Sequence, residues 1–117
     1  MIKDKDLLNL SRQQKLLQQV VNQIEKDINL TGISFEIREK PFHIEDFFRA
    51  LCNLFADLIS NDIEKLAALF YRVDIDENEW KSALSSFDQN DLENTLNVLL
   101  IKRTLQKVVN RSLFDSK

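Results

Sequence analysis

IEDFFRALCNLFADLISNDIEKLAALFYRV, residues 44–73, is the stretch on which the fold turns. Its apolar residues are Ile44, Phe47, Phe48, Leu51, Phe55, Leu58 and Ile59, then Ile63, Leu66, Ala67, Phe70 and Val73. They recur every three or four positions, the period of an α-helix with one wide buried face. The spacing predicts two consecutive helices, and the rest of the chain reads as cover for this pair.

Composition agrees with that reading. The chain has 117 residues, enough for one domain with a core that needs neither disulfide nor metal. It holds one Gly and one Pro, and an all-β fold needs many more special turn residues than that. What remains is an all-α bundle of about five helices with one extended segment, residues 33–38.

Upstream, Leu7, Leu10, Leu17, Val21, Ile24 and Ile28 step by threes and fours through a polar surface, interrupted only by Gln14. The pattern predicts a helix from near Ser11 to near Asn29, with Ser11 and Gln14 spaced as a capping box and Asp4 or Asp6 as earlier starts. The seam is narrow, closer to a coiled-coil stripe than to a broad core face. It is expected either to clamp the bundle edge or to associate with another chain, which would make Leu17, Val21 and Ile24 partner contacts. Next, Ile33, Phe35 and Ile37 alternate with polar residues at strand spacing. No second strand is visible, so the segment is expected to lie extended across the helices, or to pair through its edge with a partner, with Phe35 as the contact.

Pro41 fits the first turn of the second helix. Asn61 with Glu64, Asp76 with Glu79, and Asn90 with Glu93 each place a capping residue three before a Glu, predicting three further helix starts. Ile75 and Trp80 flank the second of these at hydrophobic-staple spacing. The helix that follows should bury Trp80, Ala83, Leu84 and Phe87, with a turn over residues 85–89. The last helix, about 91–112, has two apolar faces. Leu92, Leu96, Leu99 and Leu100 cluster on one side; Val98, Ile101, Leu105, Val108 and Val109 cluster nearly opposite. Its front half is expected to face the central pair. Its rear half should lie beside the first helix, within one chain or across a homodimer, or else the helix kinks near Ile101.

Chemistry finds little support. His43 and Cys52 are the only His and Cys, nine positions apart on one helix, so they point about 180° apart and form no dyad. Cys52 reads as a small core residue and His43 as a surface or capping residue. A calcium loop at Asp74, Asp76 and Asn78 fails, because Glu79 stands where Gly is needed and Ser85 where a bidentate Glu is needed. A single Gly cannot build a phosphate-binding loop. No catalytic residue, metal or cofactor is therefore assigned, and the chain is expected not to be an enzyme.

The charge is unevenly spread. Residues 57–93 carry ten acidic and three basic residues, whereas residues 98–117 carry five basic and one acidic. Lys102, Arg103, Lys107 and Arg111 form a basic stripe on the last helix. Cations there complement the helix dipole, and they also offer a docking surface for an acidic partner. The overall charge of -3 argues against a dedicated nucleic-acid binder. A lone cysteine, no apolar leader and no run of about 18 apolar residues point to a cytoplasmic protein without a membrane span. The expected role is a small protein-interaction or regulatory module, possible partner contacts being Lys102, Arg103, Lys107, Arg111, Leu17, Val21, Ile24 and Phe35. A small-ligand-binding domain with a polar cavity among Phe47, Phe55, Phe70 and Trp80 is the alternative, as is nucleic-acid accessory binding by the basic helix.

Overall fold

In a computed structural model of the chain, residues 4–36, 44–85 and 92–115 are described, with side chains for 13–36, 44–85 and 92–111. They form five helices and no strand among the described residues: α1 (Asp4–Leu30), α2 (Ile44–Asn61), α3 (Ile63–Val73), α4 (Glu77–Leu84) and α5 (Leu92–Asp115). Pro41, His43, residues 37–38, Phe87, the turn after Ser85 and the Asn90 cap lie outside the described residues.

The central pair forms as its spacing requires. Phe47, Leu51, Phe55 and Leu58 of α2 and Leu66, Leu69, Phe70 and Val73 of α3 are buried. Leu69 takes the core position expected of Ile63, which is 42% exposed. Phe55, Phe70 and Trp80 stack edge to face, with successive ring centroids 5.9 Å apart, and join α2, α3 and α4. Each such pair adds about 0.5–1.5 kcal/mol to what burial alone gives. None of Phe47, Phe55, Phe70 and Trp80 lines the three clefts found among the described residues.

The caps differ in detail from expectation. Asn61 closes α2, and Asp62 caps α3 instead, its carboxylate accepting from the Lys65 N–H. Two adjacent residues could both cap, and the one after the α2 terminus does so. Asp76 caps α4 as its spacing predicts, accepting from the Asn78 N–H at 2.8 Å. The staple closes with it: Ile75 and Trp80 are both buried. The C-termini of α1 and α3 share one device. Ile33 N–H reaches back to Ile28 O and Gly32 N–H to Asn29 O; Ile75 N–H reaches Phe70 O and Asp74 N–H reaches Tyr71 O. Both turns need a left-handed residue, supplied by Gly32 (φ 90°) and Asp74 (φ 66°). Two helices therefore end in left-handed turns although the chain has a single glycine.

α1 starts at Asp4, so Ser11 lies inside it and is not its cap. Its most extensive partner is α5 of the same chain. Val20, Val21, Ile24 and Ile28 are buried in the common core. Beyond α1, Ile33 is buried and Phe35 lies edge-on to Phe47, centroids 6.5 Å apart. Residues 33–36 are extended, and the Asn29 side chain serves the backbone of Phe35, accepting its N–H and donating to its carbonyl, both at 3.0 Å.

α5 runs unbroken past Ile101 and departs most from expectation. Its buried ridge is Leu96, Asn97, Leu100, Thr104 and Val108. Two polar residues occupy core positions, and two apolar ones are displaced outward: Val98 is 55% exposed and Leu105 37%. Only Val108 of the expected rear face is buried, with Ile101 and Val109 half-buried.

Candidate functional site

The outward face of α5 is the surface that packing leaves over. At 3.6 residues per turn, Val98, Lys102, Leu105 and Val109 fall within about 60° of arc, opposite the buried ridge. Each step that seats Leu96, Leu100, Thr104 and Val108 inside thus turns Val98, Lys102 and Leu105 out. A surface helix ordinarily carries polar residues there. Here one free ammonium sits among apolar side chains: Lys102 is exposed and has no hydrogen bond or ion pair among the described residues.

Two clefts border the ridge on one side, and Arg103 and Gln106 line both. One, about 230 Å³, lies between α5 and the α3–α4 turn and is lined by Ile75 and Leu99 together with Asp76, Glu79 and Lys102. The other, about 480 Å³, is bordered by Leu105, Val109 and Asn110. Arg103 is held in place by two contacts. It donates to Asp74 Oδ2 at 3.1 Å and to Gln106 Oε1 at 3.3 Å, while its Nε is buried without a partner. The left-handed turn at Asp74 positions that carboxylate.

The other sequence-predicted contacts fare differently. Lys107 is half-buried, and Arg111 reaches Gln23 of α1 at 3.5 Å. Three members of the expected four-residue stripe, Arg103, Lys107 and Arg111, therefore lean toward the body of the bundle, and only Lys102 stands on the outward ridge. Val21 (1% exposed) and Ile24 (0%) are consumed by the core. Leu17 and Phe35 are half-buried against it.

Sequence reasoning missed three buried polar residues. Asp27 accepts from Arg72 Nε at 3.1 Å and from Gln23 Nε2 at 3.2 Å, tying α1 to α3. Asn97 donates to Phe48 O at 3.0 Å and to the Cys52 sulfur at 3.4 Å, tying α5 to α2. Thr104 is the third. A signal existed for Asp27 alone, since it sits between Ile24 and Ile28 in the apolar ladder. Cys52 is half-buried at the α2–α5 contact, with its thiol 3.4 Å from Asn94 Oδ1.

The acidic side has one perturbed pair. Glu77 titrates below its ordinary value because Lys81 donates a hydrogen bond to it and adds an attractive charge. Lys81 is raised by the same contact, and its ammonium lies 5.8 Å from the Trp80 ring centre. Both side chains are solvent-exposed, and the pair sits on the surface of α4.

Compared with family models, curated proteins and solved structures, the chain matches none. No described helix is long and apolar enough to cross a membrane.

Proposed function

We propose that this chain is a small protein-interaction or regulatory module of the cytoplasm that acts by surface contact and catalyses nothing. The observation that supports the reading most is the outward ridge of α5. Apolar side chains on a solvated helix face forgo burial free energy, roughly 25 cal/mol per Å². A partner that covers Val98 and Leu105 recovers it. The free Lys102 beside them supplies orientation, because a lone charge at the rim of an apolar contact selects its complement.

The test compares partners recovered from the native host by wild type, Leu105→Gln and Lys102→Glu. Both positions are exposed, so both variants should keep the wild-type melting profile. A protein retained by wild type and lost by both variants supports the reading. Equal recovery by all three chains refutes it.

A further inference from the structure

The charges of α5 decide what its outward face can meet. Arg103, Lys107 and Arg111 turn toward the bundle, Arg103 onto Asp74 and Arg111 onto Gln23. On the outward side, Asn94, Thr95 and Gln106 join Val98, Lys102, Leu105 and Val109 within about 120° of arc. Lys102 is the only charge among them, in a chain of which 30% is charged. A helix face kept for solvent is ordinarily rich in charge, and the centre of a protein contact is depleted of it.

The one cation has its counter-charge close by. Lys102 lines the cleft of about 230 Å³ together with Asp76 and Glu79. Asp74 there is bonded to Arg103 and Asp76 to the Asn78 N–H, which leaves Glu79 without a partner among the described residues. A face that shows both signs, Lys102 and Glu79, suits no partner of a single sign. It suits a copy of itself. The spacing permits the match, because the steps from 98 to 102, 105 and 109 are four, three and four and read the same in reverse. With a second α5 laid antiparallel, Val98 meets Val109, and Lys102 meets Leu105, whose neighbour Gln106 lines the cleft. The stem of Lys102 then covers Leu105 of the second copy while its ammonium reaches the carboxylates at the cleft.

We propose that the outward face of α5 pairs with the same face of a second copy of this chain, antiparallel, as a weak homodimer. The proposal rests on the interaction reading above and names its partner. Lys102 sets the alignment, since a single polar residue in an apolar helix contact fixes register at a cost in affinity. Val98 and Leu105 are the only large apolar residues exposed on the described part of α5, so the dissociation constant is expected on the order of 100 μM.

Sedimentation equilibrium of the purified full chain, from about 5 μM to about 1 mM, tests it. The average mass should climb toward that of two chains and stop there, because a two-fold contact closes on itself. Leu105→Gln should remove association over this range, since each dimer loses two anchors at about tenfold each. Val98→Gln gives the same readout if Leu105→Gln does not fold. Lys102→Glu should also loosen the pair, because it sets a carboxylate beside Glu79. Lys102→Leu should tighten it by about tenfold or more, since two charges leave an apolar contact.

A chain that stays monomeric to about 1 mM overturns the proposal. So does a dimer that neither Leu105→Gln nor Val98→Gln weakens, association that continues past two chains, or a Lys102→Leu variant that pairs no more tightly than wild type. If the chain stays monomeric while a host protein is still lost by Leu105→Gln and Lys102→Glu, the second copy falls and the interaction module stands. If the pair forms through Val98 and Leu105 while those two variants recover every host protein as wild type does, the pair stands and the regulatory module falls.

Discussion

Replacing Thr104 by valine should make this protein more stable. Thr104 lies on the buried ridge of α5 and is 1% exposed. Its hydroxyl has no hydrogen-bond partner among the described residues. Valine keeps the branched shape and exchanges the hydroxyl for a methyl group. An unsatisfied buried hydroxyl costs about 1–3 kcal/mol, and a buried methyl contributes about 0.8 kcal/mol. Threonine and valine have nearly equal helix propensity, so the backbone term is small. A net gain of about 1–2 kcal/mol follows. With an unfolding entropy of about 2.1 cal/mol/K per residue, a chain of 117 residues shifts by about 4 °C for each kcal/mol. Tm should therefore rise by about 4–8 °C. Urea unfolding followed by circular dichroism should show a higher midpoint with an unchanged slope. Thr104→Ser separates the terms: it keeps the hydroxyl, loses the methyl, and should be less stable than wild type by about 1 kcal/mol. A valine variant less stable than wild type would refute the reasoning, since the hydroxyl must then be bonded in the folded chain.

Other outcomes follow from the same packing. Arg72→Met should cost about 1–2 kcal/mol, because it takes the charged partner from the Asp27 carboxylate, whose side chain is 12% exposed, and leaves it the Gln23 amide. Asp27→Asn in that background should restore part of the loss, and strictly additive unfolding free energies would deny the coupling. Gly32→Ala should cost about 1–2 kcal/mol, seen as a lower urea midpoint, through its φ of 90° alone, since a Cβ there meets nothing within 4 Å. Gly32→Asn should cost less, and an alanine variant with wild-type stability would mean the turn is not left-handed. Glu77→Gln should lower Tm at neutral pH and lose its effect in strong acid. The sign follows from the depressed carboxyl: its contribution is present above the unfolded value and disappears as pH falls through the folded one. A Tm gap between the variant and wild type that stays constant into strong acid would contradict this.

The helices of residues 44–73 were legible because phenylalanine and leucine recur there with no competing face. Leu66, Phe70 and Val73 fall where the spacing places them, whereas Leu69 is buried and Ile63 is not, and Ile44, Phe48, Ile59 and Ala67 are half-buried at the margin of the face. α5 was harder to read. Its sequence offers two apolar arcs, and hydropathy prefers Val98 and Leu105 for the interior over Asn97 and Thr104. The packing chooses otherwise, since Asn97 meets a backbone carbonyl of α2 and the sulfur of Cys52. A contact forty-nine positions away in the chain leaves no local trace. For the same reason the candidate site was only half visible. The basic residues could be counted, but their direction depended on which arc turned inward. Lys102 proved to be the outward one, while Arg103 went to Asp74 and Arg111 to Gln23.

One small contact governs how this protein behaves in a crowd. A lone extended segment is normally sticky, because its peptide groups invite a foreign chain to zip alongside. At Phe35 both groups are already claimed by a single carboxamide, that of Asn29. The helix thereby plays the neighbour that a sheet would have provided, and at Phe35 it leaves no peptide group open to a foreign strand.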